Sequence, residues 1–240
     1  VKTPFVLFLN PDTIVLKDSI FRMLDFMINH PKVALLGCGM RNPEGDYQEL
    51  GVQWFPSPIK EFFRSLFITK KNSFFFKKLI PIQDPYFSNY VRKVYGGCLL
   101  ARREAIDEVG WFDERYFMYC EDVDLCRQIE LQGWDLYYYA ETEIYHVGGG
   151  ASENAESDFA TLMQAESIEK LMAKYYGAQG KTLYRMGIFT AASIRWYLLL
   201  FLSFFASHIS STKMQFDNRS FQKYRALILW SLNLKHANIK

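Results

Sequence analysis

Cysteine is scarce in this 240-residue chain and never clustered. Cys38, Cys98, Cys120 and Cys126 form no Cys-x-x-Cys pair, and no Cys/His grouping has zinc spacing. That excludes a disulfide-stapled scaffold and a structural zinc domain, and the thiols read as reduced, mostly buried groups of a cytosolic protein. No nucleic-acid-binding motif, internal repeat or low-complexity tract is present. A signal peptide and an initiator Met are also lacking. The chain runs from Val1 almost at once into an apolar strand, which leads to the expectation that an N-terminal portion is missing. In the C-terminal third the uninterrupted apolar core, Trp196 to Ala206, is shorter than the ~20 residues a spanning helix needs.

Apolar and aromatic side chains are plentiful. They make up half of the residues, with 21 Phe and 15 Tyr, enough for a sizeable core, a ring-lined cleft or contact with a membrane surface. The net charge of +2 hides an asymmetry: residues 1–158 hold 17 Lys/Arg and 23 Asp/Glu, whereas residues 159–240 hold 11 and 3. An acidic body with a basic, Leu- and Phe-rich tail points to an anionic membrane surface for the tail rather than to nucleic acid.

Phe5 to Leu9 is a continuous apolar run, the pattern of a strand buried on both faces. Asn10-Pro11-Asp12 turns the chain after it. Asp18-Ser19 has the chemistry of an N-cap for a helix to about Asn29, with Ile20, Leu24 and Met27 on one face. Val33 to Met40 predicts a second buried strand, and strand–helix–strand order predicts an α/β sheet. Residues 41–93 are less regular: a turn cluster over Asn42 to Asp46, short helices over 58–80, and the character of an insertion over a cleft. Val94 to Arg102 predicts a strand with Gly96-Gly97 inside it, Arg103 to Val109 a short helix, and Gly110 to Glu114 a turn. Glu121 to Gln132 predicts a helix that Gly133 stops. Strands at Asp135 to Ala140 and Ile144 to Val147 precede a flexible Gly148-Gly149-Gly150 loop. Helices follow over Phe159 to Tyr176, Leu183 to His208 and Ser220 to Leu234.

Four stretches can carry chemistry. Asp12 follows a buried strand, where α/β sheets bind ligands, and its carboxylate suits Mg²⁺ or Mn²⁺; Asn-Pro and Asp are equally common turn residues. Glu121, Asp122 and Asp124 put three carboxylates within four residues. A helix dipole favours acids in its first turn, but these follow the apolar run Tyr116 to Cys120, which leads them toward the interior. Arg115 and Arg127 nearby make a charge network plausible, and a carboxylate in a partly dry cleft is a candidate general base. His146 ends a short strand ahead of three glycines; a lone His is more often structural, yet imidazole suits Mn²⁺. Gly96-Gly97 reads either as a bulge or as a floor for a flat sugar or nucleotide.

These stretches occur in an order that resembles family 2 glycosyltransferases of the GT-A fold, especially their bacterial rhamnosyltransferase-like branch. The matching stretches are FLNPDT at 8–13, GGCLLARREAIDEVGWFDERYFMYCEDVDLCRQIELQGW at 96–134 and YHVGGGAS at 145–152. The long middle one is the specific signal. The resemblance implies that Asp12 is the metal-binding Asp of the family's Asp-x-Asp motif. Asn10 stands in place of the first Asp, with less repulsion toward a diphosphate and a weaker grip on metal. It implies Asp122 as catalytic base with Glu121 beside it, and His146 completing the metal site. Asn10, Gly96, Gly97, Trp111, Asp124 and Arg127 are the expected substrate-contacting residues. Family members carry a nucleotide-binding region ahead of the Asp-x-Asp strand, so the chain alone is expected to bind donor poorly and to expose a sheet edge.

The expected architecture is therefore an α/β, Rossmann-like mixed sheet flanked by helices, N-terminally truncated, over 1–176. A helical, basic-apolar, membrane-associating tail follows over 177–240. Arg195 inside the apolar run, costing about 2.5–3.5 kcal/mol at a bilayer centre, favours a helix lying in the interface over 183–240, with Arg185, Arg195, Lys213 and Arg219 near headgroups. The expected activity is inverting transfer of a sugar, rhamnose from dTDP-rhamnose first, from a nucleotide-sugar donor to a cell-surface polysaccharide or lipid-linked glycan at the cytoplasmic face. The alternative is a non-catalytic remnant that binds glycan or membrane, or pairs with a separate nucleotide-binding chain. Adjacent acids at Glu121 and Asp122 argue against a glycoside hydrolase, whose two carboxylates flank the scissile bond.

Overall fold

Nine successive residues, Val33–Arg41, form the most buried strand (β3), and the first eight of them are withdrawn from solvent. A run this apolar is stable only with cover on both faces. In the computed structural model, which describes residues 3–48, 55–66, 84–147, 158–209 and 218–237, β3 lies between two longer-range partners. It pairs antiparallel with β5 (Cys98–Arg102) and parallel with β6 (Asp135–His146). The chain divides into two compact units, Val1–Phe55 with Phe74–Gly150, and Pro56–Ser73 with Ala151–Lys240.

In the first unit the remaining strands are β1 (Phe5–Leu9), β2 (Thr13–Val15) and β4 (Asn89–Val91). The order is β1-β5-β3-β6-β2, with β4 also on β6. The sheet is mixed: β1 runs antiparallel to β5, and β2 and β4 run antiparallel to β6. Helix α1 (Ser19–Asn29) covers the sheet with Ser19, Met23 and Met27 fully buried, so the packed face centres on Met23, and Ile20 and Leu24 flank it half-buried. The helices after β5 are α3 (Arg103–Val109) and α4 (Glu121–Leu131); Leu125, Cys126 and Ile129 enter the core at helical spacing. Gly110 and Gly133 close these helices at φ +84° and +86°, backbone that a side chain would strain. Cys38, Cys98 and Cys126 are buried free thiols and Cys120 is half-buried.

Three expectations change. The strand foreseen from Val94 begins only at Cys98, and Gly96-Gly97 form a turn ahead of it. The two strands foreseen at 135–140 and 144–147 are one strand, because β6 keeps pairing with β3 across a register shift between Cys38 and Gly39. The short edge strand β4 lies in a segment read as irregular. The glycine loop at 148–150 and residues 67–83 fall outside the described residues.

The second unit is helical. Its long element, α5 (Phe159–Ile209), is two helices joined at Gly177, whose φ 63° and ψ −162° are not helical. α2 (Pro58–Leu66) and α6 (Asn218–Ser231) belong to the same unit. Trp230 of α6 is fully buried against Tyr184, ring centroids 6.2 Å apart. Arg185 stands over the Trp230 ring at 4.7 Å and 3.2 Å from Glu169, and Arg195 stands 5.8 Å over the Tyr224 ring. Both guanidiniums therefore meet partners within the helical unit, where the sequence had suggested headgroup contact; Lys213 lies outside the described residues. By length and composition α5 could also cross a membrane, with 17% of its apolar window buried.

Candidate active site

The site begins where β1 ends. Asn10 N–H continues the ladder to the Gly97 carbonyl (3.0 Å), and the Thr13 hydroxyl donates back to the Asn10 carbonyl (2.7 Å), which tightens the turn. β2 then pairs with the far end of β6, setting Thr13 opposite His146. The result brings three predicted residues together. His146 Nε2 is 3.3 Å from Asn10 Nδ2 and 3.4 Å from Asp12 Oδ1.

The ring's orientation is fixed by a residue that no motif marked. Gln48 Nε2 donates to the His146 backbone carbonyl at 2.7 Å, so Gln48 Oε1 must be the atom 2.7 Å from His146 Nδ1. An acceptor there requires the proton on Nδ1, which leaves Nε2 facing Asn10 and Asp12. Gln48 is delivered by a turn braced from behind: Arg41 bonds Glu143 (2.7 Å), the Gly45 carbonyl (2.7 Å) and the Tyr47 hydroxyl (2.9 Å).

The start of α4 lines the same pocket as Asn10 and His146. Tyr119 and Cys120 both take left-handed backbone, φ 67° and 66°, an uncommon pair of non-glycine conformers that turns the chain sharply into the helix. Glu121 and Asp122 follow directly. Asp122 Oδ2 accepts from Gly96 N–H at 3.2 Å and Oδ1 from Val123 N–H at 2.7 Å. Lys93 Nζ stands 4.0 Å from Oδ2. Burial, the largest single influence, pushes the Lys93 ammonium toward losing its proton, but Asp122, Tyr95, Cys120 and Cys126 together outweigh it and the net shift is upward. Burial first, and the Asp122 charge second, raise the carboxyl pKa of Glu121, and Glu121 Oε2 is a buried oxygen with no hydrogen-bond partner.

The pocket is open, with a volume of about 750 Å³. It is lined by the β1 end from Leu7 to Asn10, by Met40, Gln48, Tyr95, Gly96, Gly97 and His146, and by Phe112, Glu121 and Asp122, with the Phe8 and Phe112 rings in edge contact at 4.9 Å. A Cβ on Gly97 would stand 2.9 Å from Met40 Sδ and 3.7 Å from His146 Nε2, so the floor there has no room for a side chain.

Three predicted substrate contacts do not line this pocket. Asp124 is fully buried and accepts from Gln128 (2.8 Å) and the Tyr116 hydroxyl (3.5 Å), which makes it a core anchor of α4. Trp111 packs edge-on against Phe8, centroids 6.2 Å apart, and donates to Asp107 at 2.8 Å. Arg127 pairs with Glu130 at 2.6 Å and stacks over Phe55 at 5.1 Å. The charge network expected around Asp122 forms with Lys93; Arg115 instead forks onto Asp113.

The donor chemistry suits a hard divalent cation in part. Asp12 offers an oxygen and, in the Nδ1-protonated neutral tautomer, His146 offers the Nε2 lone pair 3.4 Å away, two electron-rich atoms that favour a cation beside them. No group of three such side chains occurs among the described residues, so further ligands would come from water or a bound phosphate.

Comparison with known proteins identifies the family. The family described as glycosyltransferase like family 2 matches residues 1–167. The chain is 34% identical over 158 aligned positions to an N-acetylglucosaminyl-diphospho-decaprenol L-rhamnosyltransferase of Mycobacterium tuberculosis, covering 59% of this chain and 46% of that protein. It is 29% identical over 142 positions to rhamnosyltransferase WbbL of Escherichia coli, covering 59% and 52%. It is also 29% identical over 145 positions to O-antigen biosynthesis protein RfbC of Myxococcus xanthus, covering 59% and 11%. The matched part thus spans about half the length of the rhamnosyltransferases.

Proposed function

The chain belongs to glycosyltransferase like family 2, with its GT-A fold, and from that premise we propose that it carries the catalytic centre of an inverting glycosyltransferase. The donor is a nucleotide sugar, dTDP-rhamnose first, and the acceptor a cell-surface polysaccharide or lipid-linked glycan. The observation that carries the reading is the Asp122 carboxylate, held at both oxygens by backbone N–H groups in the pocket that Asn10 and His146 also line.

Asp122 takes the proton from the acceptor hydroxyl, and that oxygen attacks the anomeric carbon from the face opposite the leaving diphosphate. The configuration inverts, and no covalent intermediate forms. The two neighbouring acids sit in different surroundings. Asp122 has an ammonium and two N–H donors around it, whereas Glu121 has a buried, unpartnered oxygen and a raised pKa, which favours its neutral form. Asn10 presents an amide where an acid would repel phosphate, and Gly97 keeps the floor flat for the sugar or diphosphate. Asp12 and His146 are the residues to hold Mg²⁺ or Mn²⁺, which when bound supplies positive charge opposite the departing diphosphate. The apolar side of α5 sets the protein on the cytoplasmic face of the membrane, beside lipid-linked acceptor.

A donor screen of the intact protein, reading nucleoside diphosphate release with Mg²⁺ or Mn²⁺, tests the activity. Asp122→Asn is expected to lower the rate about 10²–10⁴-fold with folding intact. Near-normal turnover in that variant would remove Asp122 as the base.

A further inference from the structure

Lys93 belongs to no motif, yet its ammonium is held in place by two neighbours. Nζ lies 4.0 Å from Asp122 Oδ2 and 4.2 Å from the centroid of the Tyr95 ring, and the side chain is only 16% exposed. Withdrawing an ammonium from water is costly unless charge or a ring face compensates. Both compensations are present, and one is the candidate base. The arrangement is also local in sequence: Lys93 precedes by three residues the Gly96 N–H that binds the same carboxylate oxygen. One short segment therefore delivers a fixed donor and a fixed charge to Oδ2.

The other ionisable groups near this carboxylate do not supply such a charge. Glu121, next to it at the start of α4, adds negative charge when ionised. Cys120 and Cys126 are thiols, and burial followed by the Asp122 charge pushes Cys126 up to about 12, so it stays neutral. Tyr95 contributes its ring face to Lys93. His146, which lines the same pocket, is held by Gln48 and turned toward Asn10 and Asp12.

We propose that Lys93 is the positioning residue of the reaction: its ammonium, 4.0 Å from Oδ2, holds the Asp122 carboxylate against the Gly96 turn in the orientation from which it meets the acceptor hydroxyl. The proposal rests on the reading of Asp122 as the base.

The test compares wild type, Lys93→Met and Lys93→Arg in the intact protein, with Asp122→Asn as reference. Lys93→Met lowers kcat about tenfold with KM little changed, and Lys93→Arg restores it. A role confined to folding would lower the amount of active protein and leave kcat per active site unchanged. Carbon-13 labelled Asp carboxyls, followed by NMR without substrate, give a readout apart from turnover: the Asp122 signal moves in Lys93→Met and returns toward its wild-type position in Lys93→Arg. If Lys93→Met does not fold, Lys93→Gln replaces it. An unchanged kcat and an unmoved Asp122 signal, with Asp122→Asn inactive, overturn the proposal alone. Turnover retained in Asp122→Asn overturns the reading of the base and with it the catalytic role of Lys93.

Discussion

Gln48 holds His146 at two points, donating from Nε2 to its backbone carbonyl and accepting at Oε1 from Nδ1, each at 2.7 Å. A side chain with one donor and one acceptor leaves a single consistent assignment, so the ring presents Nε2 to Asn10 and Asp12. Gln48→Leu removes both bonds while keeping an apolar stem of similar size. Loss of such a partner typically weakens metal binding about 10–100-fold, and a drop of that size in Mn²⁺ affinity, read by electron paramagnetic resonance, is expected. An unchanged affinity would take His146 out of the metal site.

Glu121 should make the fold depend on pH in a direction opposite to that of most paired carboxylates. Its folded-state pKa is raised, by burial and then by Asp122, so the native state binds this proton more tightly than the unfolded chain does. The associated stability is fully present below the unfolded value and is lost as pH rises through the folded one. Glu121→Gln removes the ionisation but keeps the shape. Its melting temperature is expected to exceed that of wild type at pH 7–8 and to converge with it near pH 4. A variant that melts lower than wild type at pH 8 would show that the ionised carboxylate is well accommodated.

The two pocket glycines should respond differently to one added methyl. At Gly97 a Cβ would come within 2.9 Å of Met40 Sδ; at Gly96 the nearest atom would be Asp122 Cβ at 3.5 Å, an ordinary contact. Gly97→Ala must displace Met40 on the pocket floor beside His146, an overpacking that costs about 1–3 kcal/mol. Gly96→Ala is expected to stay under about 1 kcal/mol. Urea unfolding of both variants measures the difference, and equal costs would contradict the close approach at Gly97.

These residues differ in how far the sequence exposes them. The run Val33–Met40 was legible because burial on both faces leaves an unbroken apolar signature; Phe5–Leu9 carries the same signature and is a strand, but at the sheet edge it is only half-buried and Leu9 is exposed, against the expectation of cover on both faces. Asn10, Asp12, Gly96, Gly97, Glu121, Asp122 and His146 were singled out by their order along the chain; all but Asp12 line one pocket, and Asp12 stands beside His146. Gln48 and Lys93 were not, because their roles arise from contacts across 98 and 29 residues and their own surroundings carry no periodic or turn signal. The left-handed Tyr119 and Cys120 were hidden for a related reason: neither is a residue type that favours such backbone, so only the packed turn reveals them. Asp124 misled in the other direction. Three acids in one helical turn look alike in sequence, but α4 turns Asp124 into the core toward Tyr116 and Gln128 while Glu121 and Asp122 face the pocket.

The helical unit presents a further contrast. Arg185 and Arg195, the basic residues embedded in its apolar stretch, meet Glu169, Trp230 and Tyr224 within the unit. Tyr197, Leu198, Phe201 and Phe204 stand 66%, 52%, 59% and 60% exposed, recurring at the three- and four-residue spacing of one helix face. With the arginines turned to protein partners, attachment to a bilayer would depend mainly on these apolar groups, each worth about 1.5–3 kcal/mol when fully buried. Anionic lipid would act as a smaller addition through the basic residues of the tail. Flotation with phosphatidylcholine vesicles, with and without phosphatidylglycerol, separates the two contributions. Wild type should float with both and bind more tightly to the anionic set. Tyr197→Glu combined with Phe201→Glu should lower partitioning about 100-fold on either, with melting temperature unchanged because neither ring is buried. Equal flotation of variant and wild type would exclude this face as the attachment surface, and binding that vanished without phosphatidylglycerol would assign attachment to charge instead.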